Sequence, residues 1–144
     1  MSYEVQDESS FAVVGITVRT SNANAHEIGA LWGRFYETGA ARRISESGDA
    51  TIYSVYSDYE SDHTGSFTVL IGCAVPENSV VPDGMSKRSV SAGRYAVFPA
   101  IGELPASVVK AWSSVWDTPL DRVYNTDFER YSSDGAVTVH VGVR

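Results

Sequence analysis

The chain has 144 residues, 43% hydrophobic and 20% charged, and no apolar run near the roughly 20 residues of a membrane span. That composition excludes a disordered chain and allows one domain with a core of its own. A formal charge of -7 repels phosphate backbones, so no direct nucleic-acid binding is expected. The start, "MSYEVQDESS", lacks the basic and apolar regions of a signal peptide, and the single cysteine, Cys73, has no partner for an intramolecular disulfide. Both features point to the cytoplasm.

The first strand is read at 11–20, "FAVVGITVRT", rich in β-branched residues. An amphipathic helix follows within 24–39, with Ile28, Leu31, Trp32, Phe35 and Tyr36 on one apolar face. Asn24 serves as N-cap, with Glu27 three residues on, and Gly39 as the stop. Strands are read at 51–59 and 66–75, separated by the turn "ESDHTG". The stretch 75–84, "VPENSVVPDG", reads as a connector.

The second half opens with a strand at 88–100, bulged at Gly93. A helix follows with Pro105 in its first turn and Leu104, Val108, Trp112, Val115 and Trp116 along one side. Strands at 122–131 and 136–144 close the chain. In the last one Val137, Val139, Val141 and Val143 alternate with Thr138 and His140.

The order is β-α-β-β, connector, β-α-β-β, which is an internal duplication. "VYSDYESDHTGSFTVLIGCAV" lies against "VYNTDFERYSSDGAVTVHVGVR" once a residue is inserted. Asp58-Tyr59-Glu60 then matches Asp127-Phe128-Glu129, and Gly65 and Gly72 match Gly135 and Gly142. The fold class expected is α+β: duplicated βαββ repeats with pseudo-twofold symmetry. Residues 1–144 form one domain, with repeats at about 11–75 and 88–144. The antiparallel sheet portions carry two helices on one face, and the opposite face curves into a concave ligand cleft between the halves.

Within "DFERY", strand parity puts Asp127, Glu129 and Tyr131 on one face and Phe128 and Arg130 on the other. Phe128 is expected to pack towards the helices, leaving Glu129 and Tyr131 in the cleft. A buried carboxylate needs a proton or a partner, and a cationic ligand can be that partner. The competing reading is a solvated edge charge, or a salt bridge to Arg130 or Arg94. Tyr95 and Phe98 are candidate pocket walls. Tyr53 and Tyr56 point to opposite faces, so at most one lines the cleft. Trp112 and Trp116, four apart on a helix, suit core packing, and Trp112 is also a candidate wall. Flat π-faces attract cations by about 0.5–2 kcal/mol. His26, His63 and His140 share no metal-ligand spacing, and no phosphate loop or hydrolase elbow is present, so neither a metal nor a cofactor is expected.

"YSVYSDYESDHTGSFTVLIGCAVP", "GMSKRSVSAGRYAVFPAIG", "AWSSVW" and "DFERY", in this order, resemble the GyrI-like domain, the effector-binding module of some AraC-type and MerR-type bacterial regulators. The resemblance covers about 3–144. It implies a concave site for small amphipathic organic cations, with Glu129 as counter-ion and aromatics around the ligand. Members act within transcription regulators, or alone as multidrug-binding or gyrase-modulating proteins. A few hydrolyse cyclopropane-bearing natural products, a reaction for which Glu129, Tyr131 and Tyr95 would be the catalytic candidates here. With no room for a helix-turn-helix before Phe11, the chain is expected to stand alone. Its partner would be the small ligand, with gyrase or a separate regulator as a possible protein partner.

Overall fold

The computed structural model describes residues 3–44 and 51–144. Eight strands form one antiparallel sheet: β1 (Glu4–Glu8), β2 (Phe11–Ser21), β3 (Ile52–Ser57), β4 (Ser66–Val75), β5 (Ser86–Val90), β6 (Gly93–Pro99), β7 (Arg122–Tyr131) and β8 (Val137–Val143). Their spatial order is β1-β6-β8-β7-β3-β4-β2-β5. The α-helices among the described residues are α1 (His26–Glu37), α2 (Ala40–Ile44) and α3 (Ala106–Asp117). None of the described helices is long and apolar enough to cross a membrane.

The strand order is a mirror of itself about the central β7–β3 pair. A shift of 80 residues carries α1 onto α3 end to end, and the partners Gln6 and Tyr95 onto Ser86 and Gly15. Following the pairings inward, the shift becomes 70 residues between β4 and β8, which puts Gly72 on Gly142. It is 73 between β3 and β7, which puts Tyr56 on Glu129. Val55 and Phe128, which face each other across the centre, exchange places, so the pseudo-twofold axis runs between them.

Two expectations need correction here. The duplicated unit has an extra leading strand: β1 was not foreseen, and the strand read at 88–100 is two strands, β5 and β6. Each leading strand crosses over to pair in the other half, β1 with β6 and β5 with β2. The glycine matches hold their register, whereas the structural counterpart of Glu129 is Tyr56 and not Glu60.

Gly15 and Gly72 sit directly opposite each other on β2 and β4. A Cβ on Gly72 would lie 1.9 Å from the carbonyl oxygen of Val14, and one on Gly15 equally close to that of Ile71. No other residue permits this backbone approach. Gly39, with φ +63°, ends the α1 region as foreseen. Asn24 belongs to a short 3-10 turn, and no side chain caps α1.

Leu31 and Phe35 of α1 pack on Phe67, Val69 and Ile71 of β4. Ala111 and Val115 of α3 pack on Ala96, Phe98, Val139 and Val141. Burying each such Leu, Val or Phe contributes about 1.5–3 kcal/mol. The helix-free side also closes on itself. There Val13, Val55, Leu70, Val90, Tyr95 and Val97 surround Phe128. Strands β2 and β7 would be about 14 Å apart in a flat sheet, yet the Phe11 and Phe128 rings are 5.4 Å apart. The sheet therefore curls around Phe128, and the face expected to hold a cleft is a core.

Candidate functional site

The open space is on the helix side, between α1 and α3. It is a cavity of about 650 Å³, mostly apolar in its lining. Its walls obey the same 80-residue shift: Ala25, Ile28, Gly29, Trp32 and Tyr36 on or beside α1 face Pro105, Val108, Val109, Trp112 and Trp116 on or beside α3. Each helix has a broad apolar face for this reason. One part of it, Leu31 and Phe35 or Ala111 and Val115, seals the core. The adjoining part carries the cavity wall and stays partly open, as Tyr36 at 66% and Trp116 at 46% exposure show.

Tyr56 and Glu129, related by the pseudo-twofold, meet at the floor. The Tyr56 hydroxyl donates to Glu129 Oε2 at 2.7 Å. Trp112 Nε1–H donates to the same oxygen at 2.7 Å. The Tyr131 hydroxyl donates to Oε1. The edge of Trp32 meets Tyr131, with ring centroids 4.9 Å apart. Glu129 is 2% exposed, and among the described residues it has no cationic partner. Burial pushes its carboxyl above the ordinary range, and the three donors pull the other way. Burial first, and the Glu129 charge second, push the Tyr131 and Tyr56 hydroxyls well up, so both stay protonated as donors.

A second carboxylate lies beside this one. Asp127 is fully buried and pairs with Arg122 Nη2 at 2.8 Å. It also accepts from Tyr59 and, at 2.8 Å, from the Gly142 amide. The Arg122 guanidinium covers the Tyr124 ring at 4.3 Å. Tyr59 and Arg122 both reach the cavity lining.

The structure brings together Glu129, Tyr131, Trp112 and Tyr56 of the expected site residues. Three others lie elsewhere. Tyr53 is on the helix-free face against Phe11 and Phe128 and accepts from Arg130 Nε. Tyr95 is on that face too, donating to the Ser91 carbonyl at 2.6 Å. Phe98 is sealed under α3 and stacked on Tyr3. Parity separated Phe128 from Glu129 correctly, but their faces are interchanged: Glu129 is on the helix side and Phe128 opposite. A salt bridge from Glu129 to Arg130 or Arg94 is absent among the described residues, since Arg130 reaches Glu8 at 3.9 Å. Tyr95, across the sheet from Glu129, is out of place as an acid for chemistry there. Trp32, Tyr36, Tyr59 and Trp116 were missed as walls. For Trp32, Tyr36 and Trp116 the signal was the width of the two apolar helix faces; Tyr59, just beyond β3, gave none.

A sheet duplicated about an axis, with an aromatic cavity closed on a lone acid, defines an effector-binding type of module. The chain belongs to the family described as Cass2, integron-associated effector binding protein, which it matches over residues 4–143. An integron cassette protein from the mobile metagenome of Vibrio cholerae superposes with a TM-score of 0.84 at 35% identity, covering 99% of this chain and 95% of that one. SAV2435, solved bound to tetraphenylphosphonium, superposes with a TM-score of 0.79 at 22% identity over 100% of this chain and 94% of its own, a likeness of fold. YobU of Bacillus subtilis (strain 168), named as a candidate transcriptional regulator, is 30% identical over 131 residues, 85% of this chain and 82% of its own.

Proposed function

We propose that this protein binds lipophilic organic cations in the cavity between α1 and α3, with Glu129 as their counter-ion. The observation that carries the proposal is the state of Glu129. It is buried, held by three neutral donors, and lacks a cation among the described residues. An ionised carboxylate out of water calls for one. The aromatic walls suit a large apolar cation, because a desolvated π-face adds attraction of about 2 kcal/mol. The tetraphenylphosphonium held by SAV2435 is of this chemical kind. In this proposal residues 1–144 act as one binding module, and Tyr56, Trp112 and Tyr131 hold the carboxylate in place. A cytoplasmic setting is part of the proposal, since a chain with a single cysteine, Cys73, cannot form an intramolecular disulfide. Binding would serve effector sensing, a reading that the family description and the regulator-like relative support.

All three tryptophans line the cavity, so tetraphenylphosphonium should alter tryptophan fluorescence saturably. Glu129→Gln should weaken that binding about thirtyfold or more. Equal affinity in the variant would remove Glu129 from the role of counter-ion.

A further inference from the structure

We infer that the preferred ligand is two-armed: a central cation carrying one aromatic group towards α1 and another towards α3. The inference rests on the cation-binding proposal above and adds the shape of the cation. Its basis is the position of the acid relative to the axis. Glu129 and Tyr56 are pseudo-twofold mates on adjacent central strands, and their polar atoms meet 2.7 Å apart. The charge therefore lies at the axis rather than deep in one half. Trp32 and Trp112, also mates, stand on either side. Trp112 donates directly to one Glu129 oxygen, and Trp32 packs edge-on against Tyr131, whose hydroxyl donates to the other. A cation seated on Glu129 has an indole wall to each side, Trp112 in direct contact with the carboxylate and Trp32 one side chain further off, behind Tyr131. A ligand with a single aromatic arm leaves one of those apolar walls in water.

The two arms are unequal in size. Val109 narrows the α3 wall, and its mate on α1 is Gly29. A Cβ added at Gly29 would meet nothing within 4 Å. The α1 side thus has room for the bulkier arm, and Gly29 and Val109 set the difference.

The test uses two isomeric cations with the same atoms, rings and charge. Dibenzyldimethylammonium carries one ring on each of two arms, and para-biphenylmethyltrimethylammonium carries both rings on one. Titration calorimetry of the intact protein should show the two-armed isomer binding about tenfold more tightly. Trp32→Leu, remote from direct contact with Glu129, should bring the two isomers to within about twofold of each other. Replacing one benzyl by a naphthylmethyl group should keep the affinity in the wild type and lose about tenfold in Gly29→Val. Equal affinities of the two isomers, with both weakened by Glu129→Gln, would overturn the two-armed shape and leave the counter-ion intact. Binding that ignores Glu129→Gln, or no binding of either isomer, would overturn both.

Discussion

Asp127 and Glu129 lie two residues apart on the same face of β7, both sealed from water, and among the described residues only Asp127 has a cation beside it. One strand thus holds a satisfied buried charge and an unsatisfied one. The two carboxylates should respond to mutation in opposite ways.

Asp127→Ala leaves the Arg122 guanidinium buried without its partner and strips an acceptor from the Gly142 amide. Breaking a buried pair on one side costs about 3–5 kcal/mol. Urea unfolding should show a loss of that size.

Glu129→Gln should melt no lower than the wild type at neutral pH when no ligand is present. The amide can accept from Trp112 and Tyr56 and donate to the Tyr131 oxygen. Burial raises the folded-state pKa of Glu129, so the folded state holds a proton that the unfolded chain has released. Between the unfolded and folded values, rising pH therefore lowers wild-type stability. The advantage of the variant should appear above about pH 4 and vanish below it. Thermal melts across that range check the sign.

Cation affinity should have the opposite slope. A bound cation favours the ionised acid, so binding at low pH must expel a proton. Affinity should rise with pH through the elevated Glu129 pKa and then level off, while the variant stays flat. Titrations from about pH 4 to about pH 8 measure this.

The glycines separate by location. Gly72→Ala drives a methyl group into the Val14 carbonyl and should cost about 3 kcal/mol. Gly29→Ala meets open space on a helix and should gain about 0.5–1 kcal/mol. Denaturant midpoints distinguish the two.

His140 is stacked on Phe128 at 4.3 Å, with Thr138 against its Nε2. Burial first, and Arg130 second, push its pKa down to about 3, although Glu8 lies 3.6 Å from Nδ1. Arg130 engages the same Glu8 oxygen, which weakens that carboxylate's pull on the imidazole. The His140 ring resonances should remain those of a neutral imidazole down to about pH 4.

Much of this was legible in the chain. Alternation fixed the parity of Glu129 against Phe128, and helical spacing located both apolar faces. Which face of the sheet the helices cover is a tertiary fact, and parity does not contain it. The same gap misplaced Tyr53 and Tyr95, whereas Phe98 is on the helix side but sealed under α3, because strand spacing is equally good for core or pocket. The matched "DYE" and "DFE" misled because the hairpin lengths of the two halves differ. Only strand pairing reveals that Tyr56 occupies the place of Glu129. Glu129, set beside Phe128 and Tyr131, was nevertheless legible as a candidate in the sequence, and the structure adds the burial that decides it.

The central claim is a charge–charge contact at Glu129, and a thermodynamic cycle measures it directly. Calorimetry would compare a lipophilic quaternary ammonium ion with its neutral carbon isostere, each against wild type and Glu129→Gln. The account predicts a coupling of about 2 kcal/mol or more, with the cation losing at least about thirtyfold in the variant and the isostere unaffected. A coupling near zero would contradict it.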